Sequence, residues 1–207
     1  MTIDWDMVQF KRKIIDNARY LFSNYIDTSK GLEPLYNRPE VSSEKAKCYK
    51  NFNLIRLTGS TSGEHIIAWK IDDASNINKL YVRGKISVIT EWDGSLAITD
   101  STLKNCIFLT IIPNGTNWNF EIDFRINGSK SIKYKEPFDL SIGQFCDIEG
   151  VVDFRDNTIS VARDNVEKTV LPIDTFPSFN DIYVGLKAYE SGDIPNVLGK
   201  DIFITWE

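Results

Sequence analysis

Histidine, cysteine and methionine are scarce in this chain. One histidine, three cysteines and two methionines among 207 residues exclude several kinds of chemistry. His65 alone cannot bring two imidazoles to a metal. Cys48, Cys106 and Cys146 are odd in number and lack C-x-x-C spacing, so neither a zinc knuckle nor a disulfide framework is indicated. The thiols read as buried and free. His65 lies within Glu64-His65-Ile66-Ile67-Ala68-Trp69 and reads as a strand residue rather than a catalytic base. No G-x-S-x-G elbow and no glycine-rich phosphate cradle occurs. The apolar runs are short: Ile107 to Pro113 falls far below the ~20 residues of a membrane-spanning helix, and Met1 to Asp6 lacks the basic-then-apolar start of a signal peptide. The expectation is a soluble protein in the cytoplasm or in a virion, with no membrane segment. A net charge of -5 argues against a nucleic-acid binder, since neutralising phosphates takes a basic face.

What is present is ordinary for one globular domain with a short appendage: 42% hydrophobic, 12% aromatic and 26% charged residues. Helical periodicity is confined to residues 4–26. At 100° per residue Met7, Val8, Phe10, Ile14, Ile15, Ala18, Leu21, Phe22, Tyr25 and Ile26 share an arc of about 160°, wider than the stripe a helix needs to lie on its own domain. Asp4 suits the N-cap, and Gly31 with Pro34 supplies a stop. The surplus apolar surface predicts a second contact, with Met7, Ile14, Leu21 and Tyr25 docking a homo-oligomer partner or a larger protein assembly. Periodicity then vanishes through Gly31, Pro34, Pro39 and Ser42-Ser43. The division expected is a helix at 1–30, a linker at 31–51 and a body at 52–207.

After Asn51 the period becomes two. Leu80, Val82, Ile86 and Val88 alternate with Arg83, Lys85 and Ser87; Phe120, Ile122, Phe124 and Ile126 alternate with Glu121, Asp123 and Arg125. The same rhythm recurs at Ile182–Ala188 and Ile202–Trp206, and about twelve strands with no second helix are expected. Asn114-Gly115 and Asn127-Gly128 are strong hairpin signals, because both residue types tolerate positive φ, and they join three successive strands. Both also match the glycosylation pattern but are read here as turns. Asp93-Gly94 and Asp156-Asn157 mark further turns. Many short antiparallel strands with one wet face each predict two packed sheets: a mainly β sandwich with an N-terminal amphipathic α-helix.

The C-terminal third carries a resemblance. Phe154 to Asn165, then Ile182-Tyr183-Val184-Gly185-Leu186-Lys187-Ala188-Tyr189, then Asp201 to Trp206 resemble the end of a concanavalin A-like lectin/glucanase (laminin-G-like) jelly roll, over about residues 52–207. The resemblance implies a two-sheet jelly roll and leaves the function open between lectins, glycosidases and assembly modules. Glu121-Ile122-Asp123-Phe124 is similar to the start of the E-x-D-x-x-E or E-x-D-x-E strand of laminarinase-like glycosidases in that superfamily, which implies a nucleophile and an assisting acid at Glu121 and Asp123. The remaining acid is missing, because Arg125 or Ile126 stands in its place. An alternating Glu-x-Asp-x-Arg row equally describes a charged ladder on a wet sheet face.

Sugar binding without catalysis uses aromatic faces near turns beside amides and carboxylates. Trp92, Asn117, Trp118 and Tyr189 are the candidates. Asp72-Asp73 with Asn76 and Asn78 is the one local oxygen cluster; its spacing fits no calcium loop, and no metal or cofactor is implied. The reading is a non-catalytic structural or binding module of an oligomeric assembly, with a possible glycan ligand. Its best setting is a phage or viral particle component such as a fibre, appendage or tail protein. Isoleucine outnumbers leucine by 26 to 13, the bias of an AT-rich genome such as that of many phages of low-GC bacteria. The alternatives are a laminarinase-like hydrolase and a stand-alone lectin.

Overall fold

The structure is a computed structural model that describes residues 19–20, 41–42, 46–51, 54–59, 61–71, 77–89, 92–164, 166–192 and 196–207. The strands are β1 (Arg19–Tyr20), β2 (Val41–Ser42), β3 (Ala46–Asn51), β4 (Leu54–Gly59), β5 (Gly63–Lys70), β6 (Lys79–Val88), β7 (Gly94–Thr99) and β8 (Cys106–Asn114). They continue as β9 (Asn117–Ile126), β10 (Ser129–Phe138), β11 (Cys146–Asp153), β12 (Thr158–Arg163), β13 (Val166–Pro172), β14 (Tyr183–Glu190) and β15 (Asn196–Trp206). Sheet I has the order β13-β12-β11-β6-β15-β4-β3, with β1 attached to β15; sheet II has the order β10-β9-β8-β7-β14-β5-β2. The two sheets pack as an antiparallel β-sandwich, as the alternation predicts. No helix occurs among the described residues, so none there is long and apolar enough to cross a membrane.

The hairpin signals act where they were read. Asn114 pairs with Asn117 across the first turn, and Ile126 pairs with Ser129 across the second, so β8, β9 and β10 form a meander. Asn127 and Gly128 take φ of 51° and 86°, and Asn157 takes 52° in the β11–β12 turn. These are left-handed conformations that asparagine and glycine accept at little cost. Asp93-Gly94 is instead a crossing point, where the chain leaves β6 in sheet I and enters β7 in sheet II.

Sheet structure begins earlier than the alternation suggests. Ala46–Asn51, inside the expected linker, forms β3 against β4, and Val41–Ser42 pair with Ala68 and Ile67 of β5. Arg19–Tyr20, inside the expected helix, pair with Ile204 and Phe203. Here the reason is geometric. β15 shifts register between Lys200 and Phe203, with Asp201 at φ 50°, and only its first half is paired with β4. The second half therefore has backbone groups to satisfy, and a two-residue bridge does so. The rest of the expected helix, including Met7, Ile14, Leu21 and Tyr25, lies outside the described residues.

One apolar layer joins the sheets. Leu57, Leu80, Val82, Ile148 and Val161 of sheet I meet Leu96, Ile107, Leu109, Phe120, Ile122 and Leu186 of sheet II, all nearly inaccessible. Three glycines let them interdigitate. A Cβ on Gly150 would lie 2.6 Å from Leu109 Cδ1, one on Gly199 2.7 Å from Leu186 Cδ1, and one on Gly84 2.9 Å from Leu96 Cδ2. Each leucine of sheet II thus fills the space where sheet I lacks a side chain. Overfilling such a site costs about 1–3 kcal/mol, and truncating a buried leucine costs about 2–5 kcal/mol. Gly150→Ala and Leu109→Ala should therefore each lower the urea midpoint. The double variant should be less destabilised than the sum of the two by at least about 0.5 kcal/mol; strict additivity would show that the two residues do not share one space.

Candidate ligand site at the loop end of sheet II

Strand registers place Trp92, Asn117, Trp118 and Tyr189 at one end of the sandwich. Gly94 at the start of β7 pairs with Ala188 near the end of β14 and with Ile111 of β8, which pairs with Phe120 of β9. The β8–β9 turn, Trp92-Asp93 and Glu190-Ser191 therefore occupy a common edge. Trp92 and Tyr189 touch edge to face, with ring centroids 5.8 Å apart and planes at 67°. Both are half-buried. The other two candidates lie three strands across, about 14 Å at the usual strand spacing.

Asn117 and Trp118 contribute to a cavity of about 650 Å³, within the range of small-ligand sites. Pro113, Gly115 and Thr116 of the β8–β9 hairpin form one wall with them, and Leu140, Ser141 and Ile142 of the β10–β11 connection form the other. Asn117 and Thr116 are exposed, and Ile142 is 53% exposed. Trp118 is only 5% exposed and belongs to the apolar layer. Its ring anchors the cavity floor and offers little face for stacking. Among the described lining residues none carries a charge. The cavity presents an amide, two hydroxyls and three aliphatic side chains. The wall from Leu140 to Ile142 escaped the sequence reading. Its signal was faint: an isoleucine next to Gly143, which takes φ 81°.

Glu121 and Asp123 share the face of β9 turned away from sheet I, as alternation requires, but neither is free. Glu121 pairs with Lys135 at 2.8 Å and Asp123 with Lys130 at 3.0 Å, both lysines reaching over from β10. A cross-strand row runs Lys187, Ser95, Thr110, Glu121, Lys135. Lys187 Nζ donates to both Asp93 oxygens at 2.8 Å in a pair that is nearly inaccessible. Ser95 and Thr110 share a hydrogen bond of 2.8 Å, and Thr110 donates to Asp123 Oδ2 at 3.4 Å, so Ser95 is the donor to Thr110. Arg125 donates to both oxygens of Glu64 at 2.8 and 2.6 Å. Its guanidinium lies 5.2 Å from the Phe108 ring centre and Lys187 Nζ 5.3 Å from it, a cation–π arrangement. Where the glycosidase pattern has an acid, this face has Arg125 neutralising the acid of another strand.

Burial pushes the Asp123 carboxyl above its ordinary value of 3.8, against the pull of Lys130, and its Oδ1 has no hydrogen-bond partner among the described residues. Burial also raises the thiols, Cys106 to about 11 and Cys146 to about 12. Neither is a thiolate nucleophile near neutral pH. His65, on β5, faces the Thr61 carbonyl through Nε2 at 3.0 Å and is 3% exposed. Among the described residues no group of three or more His, Cys, Asp or Glu side chains could hold a metal. Asp72, Asp73 and Asn76 lie outside the described residues.

No protein-family model matches the sequence, and no curated protein sequence matches it. Solved structures match in fold. The carbohydrate-binding module CBM66 from Bacillus subtilis superposes with a TM-score of 0.59 at 11% identity, covering 76% of this chain and 89% of that one. A botulinum neurotoxin type C structure, described by its interaction with two ganglioside molecules, gives 0.57 at 14% identity over 94% of this chain and 49% of that one. A xylan β-1,4-xylosidase from Bacillus halodurans gives 0.50 at 10% identity over 81% and 40%. The fold is thus similar to that of the β-sandwiches found in carbohydrate-binding modules and glycosidase-related proteins, consistent with a lectin/glucanase-like jelly roll.

Two outcomes follow. Trp118→Ala should cost about 3–5 kcal/mol of stability in urea unfolding, whereas Asn117→Ala should leave the midpoint nearly unchanged; an intact midpoint in Trp118→Ala would show that the ring is not part of the core. For Asp123 the folded state holds its proton more tightly than the unfolded state. Its contribution to stability is therefore present at low pH and is lost as pH rises from 3.8 through the raised folded value. Asp123→Asn should raise the melting temperature at pH 7 relative to the parent protein and lose that advantage below about pH 4. The opposite order would mean that the Lys130 ion pair outweighs burial.

Proposed function

We propose that this chain is a non-catalytic glycan-binding module whose ligand enters the cavity between the β8–β9 hairpin and residues 140–142. The observation that carries the reading is the cavity's composition: Thr116, Asn117 and Ser141 for hydroxyl groups, and Pro113, Leu140 and Ile142 for the apolar face of a sugar, with no charge among the described lining residues. The Trp92–Tyr189 pair at the same end is a second contact for a longer chain. Carbohydrate-binding modules and toxin binding domains among the structures of similar fold support this choice. The uncharged lining favours neutral sugars, because a buried carboxylate without a cation is costly to desolvate.

The hydrolase reading draws on β9. Retaining cleavage takes two carboxyl groups about 5–5.5 Å apart that can reach the sugar. Glu121 and Asp123 are instead capped by Lys135 and Lys130 and are 2% and 0% exposed. Membership of a phage or viral particle, and association through Met7, Ile14, Leu21 and Tyr25, draw no support from the structures of similar fold. Both stand on the sequence alone.

A glycan array followed by calorimetry tests the proposal. Binding of a neutral glycan is expected to weaken at least tenfold, about 1.4 kcal/mol, in Asn117→Ala and in Ile142→Asp at unchanged melting temperature. Silence across the array, or binding indifferent to both changes, would remove the cavity from consideration. Cleavage of β-glucans that disappears in Glu121→Gln would favour the hydrolase.

A further inference from the structure

The two Asn-Gly pairs occupy different surroundings. Asn127-Gly128 is pinned: the Asn127 backbone N–H donates to Asn105 Oδ1 at 3.0 Å, and the Gly128 N–H donates to the Lys104 carbonyl at 2.9 Å. Asn114-Gly115 stands at a free hairpin tip. Residues 114–117 are all exposed, and among the described residues nothing lies within 4 Å of a Cβ built on Gly115 and no backbone hydrogen bond involves the Gly115 N–H. The Asn114 amide has one weak contact, with Asn119 Oδ1 at 3.4 Å.

We propose that Asn114 is a site of spontaneous deamidation in the folded protein and that Asn127 is protected. The Gly115 backbone nitrogen gives up its proton to solvent and adds to Asn114 Cγ. The Cγ–Nδ2 bond breaks, and Nδ2 leaves as ammonia. Water then opens the cyclic imide at either carbonyl, giving aspartate or isoaspartate. Water is the only co-reactant, and nothing is oxidised or reduced. The backbone must rotate before the nitrogen can reach Cγ, so the rate follows the free energy of opening the turn, which is lowest at an exposed tip with few hydrogen bonds. At Gly128 the nucleophile must first leave the Lys104 carbonyl. The product matters for the neighbouring cavity, whose wall begins at Pro113 and Gly115 and whose described lining residues hold no charge. Aspartate adds a negative charge there, and isoaspartate also lengthens the backbone of the hairpin that carries Thr116 and Asn117. The modification stands on the turn geometry alone; its effect on a ligand rests on the glycan-binding reading.

The test is ageing of the full chain in mildly basic buffer, folded or in urea, followed by trypsin and fragment mass analysis. Cleavage after Arg125 separates residues 105–125 from residues 126–130, so the two asparagines are read in different peptides. In the folded protein Asn114 should convert at least roughly tenfold faster than Asn127, and in urea the two rates should converge. Gly115→Ala should suppress conversion at Asn114 and leave Asn127 unchanged. Equal rates in the folded protein, faster loss at Asn127, or no conversion at Asn114 until urea is added would each overturn the proposal. If Asn114 converts and glycan binding persists undiminished in the aged protein and in Asn114→Asp, the modification stands and its effect on the cavity fails. Absence of glycan binding in fresh protein would instead fault the functional reading.

Discussion

The close approach of the two sheets is the contact on which the rest of the molecule depends. Leu96, Leu109 and Leu186 from sheet II enter spaces left by Gly84, Gly150 and Gly199 in sheet I. Dense packing of this kind allows few alternative registers, since a one-residue slip would turn every apolar side chain outward and put a larger side chain in the place of each glycine. Because β8 is held through Leu109, the hairpin that continues it to Asn117 emerges at a defined place. The cavity wall at that tip inherits its position from the core through Trp118.

The outer face of sheet II follows a different rule. Charged groups there occur in pairs: Lys187 to Asp93, Lys130 to Asp123 and Lys135 to Glu121 tie neighbouring strands, and Arg125 of β9 reaches Glu64 of β5. A buried carboxylate is costly unless a cation or hydrogen-bond donors accompany it. Asp123 shows the residue of that cost in its raised carboxyl and orphaned oxygen. On the strand that resembles a glycosidase strand, both carboxylates are therefore held by lysines of β10. The accessible chemistry sits at the strand ends instead, where backbone pairing stops and loops carry the polar groups.

Much of this was legible in the chain itself. The alternation from residue 80 onward marked strands and their buried faces, and Asn-Gly marked the β8–β9–β10 meander, because both follow from nearest-neighbour stereochemistry. β1, β2 and β3 were not legible. Arg19–Tyr20 and Val41–Ser42 are too short to show a period, and their conformation answers open backbone groups on β15 and β5.

The candidate site divides in the same way. That Glu121 and Asp123 share a face, and that Trp92, Asn117, Trp118 and Tyr189 stand beside turns, could be read from spacing. That Trp118 points into the core, that Lys130 and Lys135 occupy the carboxylates, and that Leu140 to Ile142 close a cavity against the hairpin could not. Period-two alternation by itself determined the sheet class and the inward face of each strand, since that face depends on adjacent residues. Only the tertiary structure decided which distant strands became neighbours, because strand order rests on the packing of whole apolar faces, and both the ion pairs and the cavity arise from that order.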